Sequence, residues 1–136
     1  MIKRFLVVDD MQQWQNFHIK AIQEIFADLE LDAEITTCDN ATDALVAVLK
    51  NIKTPFDVII SDLQMELEYE PEHAGEWLIR NIKNCQEYSN TKMIIVSGSS
   101  DIKNIAKKLN VDYLSKNVII HNKLALKLKF DEILSR

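Results

Sequence analysis

Apolar residues along the chain fall into two alternating kinds of run. Short continuous blocks, rich in β-branched residues, occupy 2–8 (IKRFLVV), 57–61 (DVIIS) and 93–96 (MIIV), with weaker ones at 33–38 (AEITTC) and 111–114 (VDYL). Between them apolar positions recur at helical spacing. Phe17, Ala21, Ile22, Ile25, Phe26 and Leu29 form one such set, and Ala44, Leu45, Val48 and Leu49 the next. Trp77, Leu78 and Ile82 within 76–85 form a third, followed by Ile102, Ile105, Ala106 and Leu109. Asn40, with Asp43 three residues on, marks one helix start, and Ser99 or Ser100 marks another. Strands that alternate with helices predict a parallel sheet covered on both faces, whose inner strands must be continuously apolar. The block at 33–38 is the least apolar and suits an edge.

The tail reads two ways. In 124–130 (LALKLKF) apolar residues alternate with period two, as in a strand. They also make two lines of a helix, Ile120, Leu124 and Leu128 on one and Leu126, Phe130 and Ile133 on the other. The segment is long for a strand and Asn122 is a ready cap, so a last helix is expected. The expected fold class is α/β, a flavodoxin-like (βα)5 doubly wound sheet of five parallel strands in the order 2-1-3-4-5.

Bulk properties narrow the function. A chain of 136 residues with 47% hydrophobic and 27% charged residues suits one ordinary globular domain spanning 1–136. A net charge of −5 argues against a broad nucleic-acid or anionic-membrane surface, although the segment from Lys116 onward is locally basic. No apolar run has the length of a membrane span, and the stretch after Met1-Ile2-Lys3-Arg4 is too short for a signal peptide. Cys38 and Cys85 share no metal-ligand spacing and read as free thiols, which suits a cytoplasmic protein. There is no internal repeat and no low-complexity linker.

The chemistry gathers at strand exits. Asp9 and Asp10 end the first strand in FLVVDD, and Asp62 ends the third in FDVIISDLQM. Ligands of open α/β sheets collect beyond the carboxyl ends of the strands, and in the order 2-1-3-4-5 the first and third strands are neighbours about 4.8 Å apart. Each like-charge pair at about 5 Å costs on the order of 3 kcal/mol at an effective dielectric near 20. Such a cluster calls for protons or a cation, and hard oxygen ligands favour Mg²⁺. The fourth strand ends in Ser97 and the fifth in Lys116, whose long side chain can cross roughly 10 Å, two strand spacings. Metal, hydroxyl and ammonium together would neutralise a phosphoryl group that a carboxylate nucleophile accepts as an acyl phosphate.

Four exits carrying Asp-Asp, Asp, Ser and Lys in that order resemble a response-regulator receiver domain of two-component signalling, over essentially the whole chain. The resemblance implies that Asp62 is the phosphoacceptor, that Asp10 binds Mg²⁺ directly, and that Asp9 acts partly through water. The backbone carbonyl of Gln64 would be a further ligand. Ser97 would bond the phosphoryl group in the active state, Lys116 would pair with it, and Tyr113 would be the aromatic switch residue. A histidine kinase or histidine phosphotransfer protein would be the phosphoryl donor, and the output would be a changed protein-binding surface. That surface is expected on the fourth helix, fifth strand and last helix, where 119–134 could also serve a homodimer.

The chain departs from the family in three places. Asn117 stands where a proline usually follows the lysine through a cis peptide. A cis Lys116–Asn117 bond would cost about 3 kcal/mol, so either strain or a rebuilt loop is expected. Met65-Glu66 replaces the usual Met-Pro. The acidic segment QMELEYEPEHAG is longer than usual; with Glu66, Glu68, Glu70, Glu72 and His73 it reads as a solvated loop beside the site. His18 and His121 read as surface residues, Trp14 and Trp77 as packing residues. A receiver that only binds proteins is the alternative. An aspartate-nucleophile phosphohydrolase fits less well, because Gln64 occupies the position where such an enzyme wants a second aspartate.

Overall fold

A computed structural model of the chain describes residues 2–65 and 73–135. Strand and helix alternate through β1 (Ile2–Val8), α1 (Gln12–Asp28), β2 (Asp32–Cys38), α2 (Ala41–Lys50), β3 (Val58–Ser61) and α3 (Ala74–Lys83). The chain continues through β4 (Lys92–Ser97), α4 (Ile102–Leu109), β5 (Asp112–Ser115), α5 (Lys116–His121) and α6 (Leu124–Leu134). The strands form one parallel sheet in the order β2-β1-β3-β4-β5. The fold class is that expected from the pattern, and the strand order is that of the flavodoxin-like class.

Burial explains the sequence blocks. All four residues of β3 are buried, because the strand is central and helices cover both faces. At the edge, β2 alternates exposed and half-buried positions, which is why it tolerates Glu34 and two threonines. Side chains leave each strand on alternate faces, so two cores form. Leu6, Val8, Ile59, Met93 and Ile95 pack with α2, α3 and α4. Phe5, Val7, Val58, Ile60, Ile94 and Val96 pack with α1, Ile119 of α5, and α6. Each fully buried Leu, Ile or Val contributes about 1.5–3 kcal/mol of transfer free energy.

Starts and stops follow local chemistry. The Asn40 side chain accepts the Asp43 N–H at 2.8 Å, as the spacing predicted for the α2 cap. Before α4, Ser99 Oγ accepts the Asp101 N–H at 3.3 Å. The short 3-10 turn Gln86–Tyr88 was not foreseen. It exists to bury Tyr88, whose hydroxyl donates to the Val48 carbonyl at 2.8 Å.

The tail is helical, but in two pieces rather than one. Ser115 Oγ accepts the Asn117 N–H at 3.2 Å and starts α5 directly from β5. Asn122 then turns extended, and its Oδ1 accepts the Leu124 N–H at 3.2 Å, restarting the chain as α6. The described residues contain no cis peptide bond, so the Lys116–Asn117 step is a rebuilt loop in which Lys116 is the first residue of a helix. Of the two apolar lines, Leu126, Phe130 and Ile133 are core, while Ile120, Leu124 and Leu128 are more than 60% exposed. No described helix is long and apolar enough to cross a membrane.

Candidate functional site

The β1 and β3 exits lie side by side because the sheet continues one step past each strand. The Asp9 N–H donates to the Cys38 carbonyl at 3.1 Å, and the Asp62 N–H donates to the Val8 carbonyl at 2.9 Å. Both carboxylates are therefore placed by main-chain ladder bonds. Asp9, Asp10 and Asp62 each offer an oxygen within 4.8 Å of the others; Asp9 and Asp62 are buried and Asp10 is exposed.

Lys116 enters the same crevice from the start of α5. Its Nζ lies 3.0 Å from Asp62 Oδ2, a hydrogen bond, and 2.9 Å from Asp9 Oδ2, an ion pair without hydrogen-bond alignment. The lysine is only 8% exposed despite its charge. Its ammonium also lies 4.8 Å from the centre of the Trp14 ring. Asp62 Oδ1 accepts the Leu63 N–H at 2.7 Å and the Gln64 N–H at 3.3 Å. Asp9 Oδ1 accepts the Met11 N–H at 2.9 Å, which leaves Asp9 Oδ2 buried without a hydrogen bond.

One ammonium pairs with two of three clustered carboxylates, and the charge does not balance. Burial raises the Asp9 carboxyl above its ordinary pKa, with the nearby Asp62 charge adding to the rise; the Met11 N–H and Lys116 pull the other way. A buried carboxylate oxygen that is ion-paired but has no aligned hydrogen bond, beside two further carboxylates, belongs to a donor set suited to a hard divalent cation. The donor set fits a hard divalent cation such as Mg²⁺, which Asp9, Asp10 and Asp62 would hold.

The remaining predicted residues occupy neighbouring exits. Ser97 ends β4, fully buried and in register with Ser115, and its Oγ accepts the Ser99 N–H at 3.2 Å. Tyr113 sits half-buried in β5, opposite Ile95, against the α2–α3–α4 core. Gln64 is exposed beside Asp62. The acidic segment 66–72 lies outside the described residues; His73 precedes α3 in a left-handed conformation with φ 55°.

Three supporting residues were missed or misplaced. His18 is buried at 1% exposure, not on the surface, and its Nδ1 has no partner. It stands one helical turn before Ile22 and two before Ile25, on the inner stripe of α1, and that spacing was the available signal. Burial drives its imidazole down to about 3, with the Lys116 charge acting in the same direction. Gln15, also buried on that stripe, donates to the Asp9 carbonyl at 2.8 Å and so ties α1 to the site. Gly75 packs the first turn of α3 against the backbone of Asp62 and Leu63. A Cβ there would lie 2.4 Å from the Asp62 carbonyl oxygen and 2.5 Å from Leu63 Cα, so only glycine fits.

Solved structures share this arrangement of strands and helices. The response regulatory domain of mrkE from Klebsiella pneumoniae is similar at 18% identity, over 95% of this chain and 98% of that one, with a TM-score of 0.65. A signal receiver domain of a two-component histidine kinase from Clostridium thermocellum matches at 18% identity, over 92% and 97%, with a TM-score of 0.63. A de novo designed Rossmann 2x3 protein is also similar, at 19% identity over 97% and 89%, with a TM-score of 0.54. No protein-family model matches the sequence, and no curated protein does. The chain thus has the receiver-domain fold, with an acidic cluster at the carboxyl end of its sheet. A fold shared with a designed protein does not carry function by itself, which must be argued from the site.

Proposed function

We propose that this protein is a phosphoacceptor module of two-component signalling, modified on Asp62 and read out by a second protein. The observation that carries the reading is the buried cluster in which Asp9 and Asp62 share the Lys116 ammonium while one Asp9 oxygen has no hydrogen bond. A structural ion pair needs one carboxylate; three carboxylates and a lysine at a sheet's carboxyl end suit a site built to receive charge.

In this reading an Asp62 carboxylate oxygen attacks the phosphorus of a phosphohistidine, a P–O bond forms, and the P–N bond breaks with return of the imidazole to its protein. Mg²⁺, held by Asp9, Asp10 and Asp62 with the Gln64 backbone carbonyl, would neutralise the phosphoryl oxygens. Lys116 and Ser97 supply an ammonium and a hydroxyl to the same oxygens, and Tyr113 responds to Ser97 on the adjacent strand. The fold's relatives point to a histidine kinase or histidine phosphotransfer protein as donor. The switched surface is assigned to α4, β5 and the last helical stretch, which the fold divides into α5 and α6, where Ile120, Leu124 and Leu128 are 62%, 64% and 63% exposed; a partner or a second copy would bind there.

The test is the intact mass after incubation with acetyl phosphate, with and without Mg²⁺. A single phosphoryl adduct that requires Mg²⁺ and disappears in Asp62→Asn is expected. Absence of any adduct on the folded protein supports the alternative, a receiver-like module that only binds proteins.

A further inference from the structure

We infer that the Trp14 ring is the positioning element for Lys116, holding its ammonium between Asp9 and Asp62. The inference rests on the phosphoacceptor reading of this site and names the part that places its lysine.

The geometry is a bracket around one cation. Lys116 Nζ lies 4.8 Å from the Trp14 ring centroid, within the distance at which an ammonium is attracted to an indole, the best aromatic partner for it. On its other sides stand Asp9 Oδ2 at 2.9 Å and Asp62 Oδ2 at 3.0 Å. A lysine is a point charge on a flexible four-carbon stem, so one hydrogen bond to Asp62 leaves its direction under-determined. The ring removes that freedom by closing the remaining side.

Trp14 is itself fixed by the segment that fixes Asp9. Met11 donates its N–H to Asp9 Oδ1 at 2.9 Å and accepts the Trp14 N–H at 3.1 Å with its carbonyl. The indole then packs 5.7 Å from the Phe17 ring and 6.2 Å from the His18 ring, centre to centre. One short turn from β1 into α1 therefore delivers both a carboxylate and an aromatic face to the same ammonium.

The test compares Trp14→Phe, which keeps a weaker face, with Trp14→Leu, which keeps apolar bulk without one. In lysine-labelled protein the Lys116 ε-methylene protons are expected upfield of the other lysines through the indole ring current. They should move partway back in Trp14→Phe and reach the ordinary position in Trp14→Leu. Asp62 modification by acetyl phosphate with Mg²⁺ should slow about threefold in Trp14→Phe and about tenfold in Trp14→Leu. Ordinary Lys116 shifts in the unsubstituted protein, or Asp62 modification of Trp14→Leu at its rate, would overturn the inference. Equal losses in the two variants would also overturn it, because bulk and not the ring face would then be responsible. If Trp14→Leu does not fold, Trp14→Phe carries both readouts. A protein that takes up no phosphoryl group defeats the phosphoacceptor reading alone, and the Lys116 resonance still decides the positioning.

Discussion

Each end of the sheet holds a cationic side chain among acidic and aromatic neighbours, and the two clusters are built to different rules. At the amino end, Arg4 lies over the Phe56 ring at 5.0 Å and spreads its guanidinium among Glu34, Asn51 and Thr54. Its Nη2 reaches Asn51 Oδ1 at 2.7 Å and Glu34 Oε1 at 3.3 Å, and Nη1 donates to the Thr54 carbonyl and to Thr54 Oγ1. The Arg4 N–H goes to Asp57 Oδ2 at 2.8 Å. Donors and acceptors match, and the result is a clasp between β1, β2 and the loop after α2. At the carboxyl end Lys116 lies over Trp14, but its ammonium serves two of three clustered carboxylates and a buried Asp9 oxygen has no aligned hydrogen bond. A matched network lowers the energy of one structure. A mismatched one stores charge repulsion that an incoming ligand can relieve.

Substitutions at the two ends should accordingly differ in sign. Arg4→Met keeps the stem over Phe56 but loses the hydrogen bonds, and is expected to destabilise the fold by about 2–3 kcal/mol in urea unfolding. An effect within about 0.5 kcal/mol would make the amino-end clasp mere surface decoration.

The second prediction concerns the apolar wall behind the carboxyl-end site. His18 is neutral in the folded protein, with its imidazole at about 3 against an ordinary 6.5. Below pH 6.5 the unfolded chain binds a proton that the folded chain refuses, so stability falls as pH falls, by up to about 1.4 kcal/mol per unit. Replacing His18 by Leu should remove about 2 kcal/mol of the stability lost between pH 6 and 4.5, read as a flatter acid limb of unfolding midpoints. An unchanged limb would mean that His18 is solvated.

The smallest effect has the opposite sign to the first. Asp9→Asn keeps the Oδ1 acceptor for the Met11 N–H and removes a carboxylate that burial disfavours. Without divalent cation it should stabilise the fold by about 1 kcal/mol, and any rise in melting temperature that Mg²⁺ produces in the unsubstituted protein should be smaller in the variant. Destabilisation by Asp9→Asn would erase the contrast between the two ends.

Much of this was legible in the chain. Blocks such as FLVV and DVII are too apolar and too short to be anything but inner strands, and their alternation with helices makes the sheet parallel. Asp9, Asp10, Asp62, Ser97 and Lys116 were legible as a group because each ends a strand, and parallel strands bring their ends together. Where the reading failed, the cause was context. His18 is polar by type, and that outweighed its spacing on the inner stripe of α1, which in the fold sets its ring 6.4 Å from that of Phe130. The period-two run LALKLKF carried two apolar lines, and nothing local said which would face the sheet. Asn122 was seen as a cap, but not as the break that separates α5 from α6.

The sequence by itself determined the parallel α/β class and the identity of the residues at four strand exits, because hydrophobic period and strand chemistry are local properties; the order 2-1-3-4-5 was expected from the flavodoxin-like class and is the order the sheet has. Only the tertiary structure decided that Asp9 and Asp62 share one ammonium, that Trp14 stands over it, and that Gly75 admits α3 against the backbone of Asp62. Those are distances between segments far apart in the chain, and they exist only once the sheet has closed its two cores and excluded water from the charges between them.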